Sequence, residues 1–381
     1  MRLVFATDDF TLYSVGYPGF PIILNKEMEV VEEVLFFLIY HCIHRGRVKS
    51  LKSWQAYGQS LYDYFAFLED NGFHWRNYSY TSDHSILAAY RDWSLSSVGL
   101  NPNTVNYRLR IIIRFYEYAY RKTWISSLPF DIETIKVYKA KGFFSHTDAS
   151  GGMKASPDVM LKTQHVPIKV LSKQQVIQFL EALSNPTQKL LARLALTTGL
   201  RREELITFPV KYVVNPAFYV ARSMIRVNLN PKEMKTKGDK PRGIDIPRAV
   251  MEALWQYILH ERHQLSLISH TKHQSLFLSS SGKPYASSGK SLSTLWKELG
   301  LPFEVTPHIC RHTFATHTLY DMRKRKTQID PLLYVRDRLG HRSIHTTERY
   351  IHYLSYVEDD LMTAYQEEID LICNAEGQHH G

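Results

Sequence analysis

Between about residues 141 and 164 the hydrophobic rhythm of the chain stops. Gly142, Ser145, the Ser150-Gly151-Gly152 run, Ser156 and Pro157 crowd this stretch, and neither a helical nor a strand period survives in it. Regularly spaced apolar residues lie on both sides, so two separate cores are expected, and 381 residues suffice for both. The boundaries this implies are 1–140 for an N-terminal extension plus a helical domain, 141–168 for a linker, and 169–381 for a C-terminal domain with its tail.

Upstream of the break, apolar residues recur every three or four positions, as on a helix with one buried face. Val31, Val34, Leu35, Leu38 and Ile39 make one stripe, which stops at Gly46. Trp54, Tyr57, Leu61, Phe65 and Leu68 make a second, ending near Asn71-Gly72. Ile86, Ala89, Tyr90 and Trp93 suggest a third. Val105, Leu109, Ile112, Tyr116 and Ala119 give a fourth, opened by the Asn101-Pro102-Asn103 turn. Four such stripes close into a bundle ending near Pro129. Pro18, Gly19 and Pro21 make the preceding segment irregular or short strands. The most apolar stretch, 30–43, is interrupted by Glu32, Glu33 and His41 and is too short to span a bilayer. The start lacks a basic segment followed by an apolar run, so no signal peptide is expected.

Downstream, Ser172 and Gln175 form a capping-box pattern before Val176, Ile177, Phe179 and Leu180. Helical spacing resumes over 187–198 and stops at Gly199. Alternation predicts strands near 218–220, 224–229 and 244–246, and one further helix over 249–263. The fold class expected is mostly α, with a small antiparallel β-sheet in the C-terminal domain.

Charge narrows the partner. Lys and Arg outnumber Asp and Glu by 47 to 37, a net charge of +10, which attracts a polyanion independently of sequence. An anionic membrane surface would satisfy the same excess. The basic residues sit among aromatics in folded segments rather than in a polybasic tail, which favours nucleic acid. On the fourth helix Arg108, Arg110, Arg114, Arg121 and Lys122 interleave with Tyr107, Tyr116, Tyr118 and Tyr120, with Glu117 the nearby acid. These bases are read as DNA contacts, against the alternative of a solvated face. Cys42, Cys310 and Cys373 are too few and scattered for a disulfide framework or a cysteine zinc site, and fit a reducing cytoplasm.

Four segments carry chemistry. In Thr306-Pro307-His308-Ile309-Cys310-Arg311-His312 the threonine suits an N-cap and the proline the first helical position. His308 and Arg311 then share a face at the positive end of a helix, a plausible phosphate grip or a surface pairing. Gly199 ends the preceding helix and places Arg201 on a tight turn, where its planar fork suits phosphate oxygens. Glu204 is either the carboxylate that orients Arg201 or an ordinary surface acid. Lys235, Lys237 and Lys240 lie between two predicted strands with Gly238-Asp239 as a turn signal, which puts Lys237 near a β-loop tip or makes the run a solubilising turn. Asp330-Pro331 opens a helix that Gly340 closes before His341, and a short second helix carries Tyr350, by default a core residue.

Taken in order, Gly199-Leu200-Arg201 through Glu204-Leu205, the Lys237-Gly238 turn, His308 through Arg311-His312, Leu339-Gly340-His341 and Thr346-Thr347 through Tyr350 resemble the tyrosine recombinase (integrase) family. The likeness covers about residues 171–352, and the bundle is more weakly similar to that family's core-binding domain. The resemblance implies a two-domain clamp on double-stranded DNA, assembling as a homo-tetramer on two sites and a monomer or weak oligomer without DNA. It implies that Arg201 and Arg311 clamp the non-bridging oxygens of the scissile phosphate. Lys237 would protonate the leaving 5′-oxygen, His308 would serve as general base and phosphate ligand, and His341 would support the site. Tyr350 would attack to form a 3′-phosphotyrosine. Arg202, Lys240 and Arg242 join the DNA contacts, and Lys235 or Lys240 stands as an alternative to Lys237. Cys310 occupies a position where the family often has Leu, read as a packing swap. The segment before about Leu51 is too short for a complete arm-site domain and is expected to brace the bundle or a neighbouring subunit.

Phosphoryl transfer from such a site needs no metal ion and no cofactor, because two guanidiniums and an imidazole supply positive charge where the transition state gathers negative charge. The chain has no Gly-rich phosphate loop and no paired-metal carboxylate cluster. His312, His317, His345 and His352 lie near the site but lack metal-ligand spacing. The acidic tail, with Val357, Leu361, Tyr365 and Ile369 on one stripe, packs in cis or is exchanged in trans; the family's habit favours exchange. The function implied is integration or excision of a mobile element by a cytoplasmic, nucleoid-associated recombinase, with accessory DNA-bending or directionality proteins as further partners and no membrane. A type IB topoisomerase-like enzyme and a non-catalytic DNA-binding regulator are the competing readings.

Overall fold

β1 (Arg2–Phe5) pairs antiparallel with β4 (Pro21–Leu24), Arg2 opposite Leu24 and Phe5 opposite Pro21. Between them β2 (Thr11–Leu12) reverses into β3 (Val15–Gly16) through Tyr13 and Ser14, both at positive φ as a two-residue hairpin turn requires. The computed structural model describes residues 1–48, 50–77, 85–136, 153–164, 167–269, 273–286 and 289–354. The chain divides into two units, Met1–Val166 and Pro167–Gly381.

In the first unit, α1 (Glu32–Leu38) runs on into a π-helical turn at Ile39–His44, followed by α2 (Leu51–Asp70), α3 (Ile86–Ser96) and α4 (Pro102–Arg121). Local chemistry sets the starts: the Ser85 side chain accepts from Ala88 N, and Asn101 accepts from Asn103 N ahead of Pro102. The predicted stripe of α4 is buried, widened by Ile111 and Phe115, and β4 adds Ile23 to the same core. Two buried tyrosines pair there. The Tyr64 and Tyr116 hydroxyls are 2.7 Å apart, and Tyr116 donates to the Trp75 carbonyl at 3.0 Å.

Part of the stretch expected as linker is regular structure. β6 (Met153–Pro157) pairs with β5 (Ile132–Lys136), Ile132 opposite Pro157 and Lys136 opposite Met153. Beyond it Asn106 clasps the backbone of Leu161, donating to its carbonyl and accepting from its N–H, both at 2.9 Å. The hairpin is mostly exposed, so it imposes no apolar alternation for a sequence reading to detect.

The second unit contains α5 (Lys173–Ala182), α6 (Pro186–Thr198), α7 (Arg202–Ile206), β7 (Met224–Leu229), β8 (Arg242–Pro247), α8 (Arg248–Leu259), α9 (Glu261–Ser269), α10 (Lys290–Lys297), α11 (Pro307–Lys324), α12 (Pro331–Leu339) and α13 (His345–Glu348). The capping box forms: Ser172 accepts from Gln175 N at 3.2 Å and Gln175 accepts from Ser172 N at 3.0 Å. β7 and β8 pair antiparallel, and Ile225, Val227, Leu229, Ile244 and Ile246 bury one face. Two expectations fail. Residues 218–220 are no strand, because Asn215 caps a 3₁₀ turn, Pro216–Tyr219, that leaves Phe218 83% exposed. The single helix expected over 249–263 is two, broken at His260, whose backbone (φ −111, ψ −80) leaves the helical region.

α11 packs between α6 and α12. Ala315 and Leu319 on α11, Val335 and Leu339 on α12, and Ile168 and Leu354 enclose Tyr350 in a small separate core. Among the described residues no helix is long and apolar enough to cross a membrane. The acidic tail, with its expected exchange, lies outside the described residues, as does half of the linker.

Candidate active site

α6 ends where Gly199 turns left-handed (φ 62), and a side chain there would begin 2.5 Å from Phe314 Cδ1 and 2.8 Å from Leu339 Cδ2. Its carbonyl is thereby free to accept from Arg311 Nη1 at 2.6 Å. Arg201 follows as the N-cap of α7. Its backbone N–H donates to Glu204 Oε2 at 2.8 Å and its Nη1 to Oε1 at 3.0 Å, with the guanidinium still partly exposed.

Glu204, left open by the sequence, is 1% exposed and is the anchor of this corner. Arg242 grips it bidentately, Nη1 to Oε1 and Nη2 to Oε2, both at 2.6 Å. Burial alone would raise the carboxyl; the hydrogen bonds and charge of Arg242, then of Arg201, overcome it and hold it at about 2. Arg242 also donates from Nε to the Arg338 carbonyl at 3.0 Å, and its side chain is 7% exposed. The expectation that Arg242 contacts DNA is therefore corrected: its guanidinium is spent inside the protein. Gly340 makes room for it, since a side chain there would start 2.8 Å from Arg242 Cδ. Arg338 in turn donates to Asp245 Oδ2 at 2.5 Å, as does the Tyr334 hydroxyl at 2.9 Å. α7, β8 and α12 are thus braced together.

Arg311 is 3% exposed. Besides Gly199 it donates to the Leu339 carbonyl at 2.7 Å, and its Nη2 lies 3.3 Å from His341 Nε2. A guanidinium can only donate, so His341 accepts at Nε2 and carries its proton on Nδ1, which donates to Thr347 Oγ1 at 3.0 Å. Burial, then the charges of Arg311 and Arg201, hold His341 at about 3. His308 stands exposed in the first turn of α11. Partial desolvation, then Arg311, Arg349, Arg201 and Lys237, push it below its ordinary value.

Tyr350 sits between α13 and a 3₁₀ turn, Ile351–Tyr353, rather than within a helix, and it is 1% exposed. Its ring lies parallel to that of His341, with an interplanar angle of 11° and centroids 6.2 Å apart. Burial raises its pKa, and Arg311, Arg349 and Arg201 pull the other way. The hydroxyl is 3.0 Å from His312 Nδ1. The sequence reading weighed that histidine only as a metal ligand, although its i, i+4 spacing from His308 puts both on one helix face; their ring centroids are 4.3 Å apart. Arg349 and Thr347 are the other contributors it missed.

Lys237 is exposed on the β7–β8 loop, where Gly238 and Asp239 take positive φ. A side chain at Gly238 would begin 4.0 Å from Arg342 Nη2, so the loop tip lies beside the segment that follows Gly340. Of the loop lysines, Lys237 is the one whose charge is felt at His308; Lys235 and Lys240 are exposed on the same loop. Arg202 is half-buried, its stem against Gly289.

In the first unit the fourth-helix bases divide. Arg110 is exposed, Arg114 donates to the Tyr57 hydroxyl at 2.7 Å, Arg121 lies over the Tyr40 ring and Lys122 over that of Tyr118. Arg108 differs, being paired with Asp63 at 2.8 Å, an acid that is distant in sequence. Among the described residues no three His, Cys, Asp or Glu side chains converge as metal ligands do.

The model of the phage integrase family matches residues 169–355. Transposase A from transposon Tn554 of Staphylococcus aureus is 24% identical over 355 residues, covering 88% of this chain and 91% of its own. Tyrosine recombinase XerD of Halalkalibacterium halodurans is 30% identical over 205 residues, 50% of this chain and 62% of the relative. Among solved structures, XerH site-specific recombinase bound to its palindromic difH substrate superposes with a TM-score of 0.53 at 17% identity, covering 90% of this chain and 92% of that one. That likeness establishes the mostly α fold.

Proposed function

The chain belongs to the phage integrase family of tyrosine recombinases, and from that premise we propose that it integrates or excises a mobile element, cutting and rejoining DNA through a 3′-phosphotyrosine. One observation supports this above the rest. Arg201, Arg311 and His341, brought from three distant segments, surround a buried Tyr350 whose neighbours are cationic or neutral. In this reading Arg201 and Arg311 hold the non-bridging oxygens, His308 binds the phosphate from the mouth of the site, and Lys237 protonates the leaving 5′-oxygen. The likeness to a transposon's transposase over most of both chains favours a mobile element over chromosome resolution.

Arg110, Arg114, Arg121, Lys122, Arg202 and Lys240 bind the DNA backbone. The active assembly is a homo-tetramer on two DNA sites, with accessory bending or directionality proteins, and the tail after about Tyr356 is exchanged between protomers. Deleting that tail abolishes pairing of two sites and spares single-site binding; unchanged pairing speaks against exchange. The enzyme itself is tested with a nicked suicide duplex. A protein–DNA adduct that survives denaturation and EDTA is expected, and it disappears in Tyr350→Phe. An adduct that persists in Tyr350→Phe sinks the proposal.

A further inference from the structure

A phenol attacking phosphorus must lose its proton as the new bond forms, and the group that receives it has to lie within hydrogen-bond reach of the oxygen. Resting on the recombinase reading above, we propose that His312, not His308, takes the proton from Tyr350. The Tyr350 Oη–H bond breaks, the proton passes to His312 Nδ1, and Oη bonds to phosphorus. The P–O5′ bond breaks in the same step, and O5′ leaves with a proton from Lys237. On religation O5′ attacks the phosphotyrosine, its proton returns to Lys237, and the departing Tyr350 oxygen recovers its own from His312.

Three observations carry this. His312 Nδ1 is 3.0 Å from the Tyr350 hydroxyl, so the transfer needs no rearrangement of the pair. Both partners are fixed: His312 is buried on α11 with the His308 ring edge-on at 4.3 Å, and the Tyr350 ring is held alongside His341. The third is the state of the imidazole. Burial first, then His308, Arg349, Arg311 and His341, the groups that face it, keep His312 neutral at about 3. A neutral ring can accept a proton, and since none of those described groups is a carboxylate, an incoming phosphate would offset the charge acquired. His308, exposed beside it, remains free to hold the phosphate.

The test starts from a library of nicked duplexes with randomised cores, from which the native chain selects a sequence that it cleaves. Single-turnover adduct formation on that duplex is then compared for the native chain, His312→Asn, His312→Gln and Tyr350→Phe, with DNA affinity measured for each. The amide of Asn keeps a hydrogen bond near the Nδ1 position and cannot accept the proton; the Gln variant checks that the loss does not depend on one replacement. Both are expected to bind DNA as the native chain does and to cleave on the order of 10²-fold more slowly. Their rates should climb from about pH 7 to about pH 10, where the native profile is flat, as hydroxide replaces the base. A 5′-bridging phosphorothiolate, whose thiolate leaves without a proton, restores Lys237→Ala and leaves the His312 variants slow. Cleavage by either His312 variant within about threefold of native, with the native pH profile, overturns the assignment; so does rescue of both by the phosphorothiolate. An adduct formed by Tyr350→Phe overturns the recombinase reading instead.

Discussion

Replacing Arg242 by Met separates a buried brace from a DNA contact. Arg242 and Glu204 exchange two hydrogen bonds at 2.6 Å in a site where both are nearly inaccessible to water. Holding the Glu204 carboxyl at about 2 instead of its ordinary 4.5 corresponds to about 3 kcal/mol of native-state stabilisation at neutral pH. Removing one partner of a buried pair typically costs ~3–5 kcal/mol, because the other charge is stranded. The two figures agree. For a unit of this size that amounts to a fall in melting temperature of roughly 6–12 °C.

The control is the double variant Glu204→Gln, Arg242→Met, which removes the stranded charge and should recover most of the loss. Thermal unfolding followed by circular dichroism reads both. Adduct formation should also slow in Arg242→Met, because Glu204 then draws on Arg201 alone. A single variant that melts within about 2 °C of native, or a double variant no more stable than the single, refutes the brace.

Gly199→Ala should destabilise by at least ~1–2 kcal/mol, since an alanine must hold a positive φ against Phe314 and Leu339; a native melting curve contradicts this. His312 and His341 are held at about 3 against an ordinary 6.5, so between those values the unfolded chain binds protons that the native chain does not. Stability is then full above about pH 6.5 and declines as pH falls towards 3, by up to ~1.4 kcal/mol per pH unit for each ring. His41 in the first unit, held at about 4, acts in the same sense; a melting temperature unchanged between pH 7 and pH 5 argues against it. Arg110→Ala and Arg121→Ala should each lower the salt dependence of DNA binding by about one unit of slope. Arg108→Ala should leave that slope nearly unchanged, because Asp63 already matches its charge, and an equal loss of slope refutes the distinction.

What could be read from the sequence were features with a local cause. The caps at Ser172, Asn101, Thr306 and Asp330 declare themselves through a side chain two or three residues from its backbone partner. The α4 stripe shows because a fixed period faces one core. The β5–β6 hairpin was hidden because its residues are mostly exposed, and α9 because nothing in composition marks the break at His260. Arg108 and Arg242 were both assigned to DNA for one reason: their counter-charges, Asp63 and Glu204, lie 45 and 38 positions away. A basic residue in sequence looks the same whether its partner is a phosphate or a buried carboxylate. Motif order placed Arg201, His308, Arg311, His341 and Tyr350 among the candidates, yet no motif says which nitrogen the phenol will meet.

If Tyr350 is the nucleophile, as proposed, the charge in this corner explains why it can be stored there safely. Arg311 bonds to two carbonyls and a ring nitrogen, all neutral, and Glu204 is divided between Arg242 and Arg201. Among the described residues the pocket is therefore short of negative charge. Burial first, and then that shortage, lower His308, His312, His341 and Arg311, each at some cost to the free protein. On the recombinase reading a phosphodiester supplies the missing anion and offsets the charge-repulsion part of each penalty together. Phosphate affinity and release of the Tyr350 proton then share one electrostatic cause, so a change that neutralises the pocket should weaken both. Glu204, kept anionic by Arg242, sets how large the shortage is, so on this reading the pair influences reactivity without touching the phosphate.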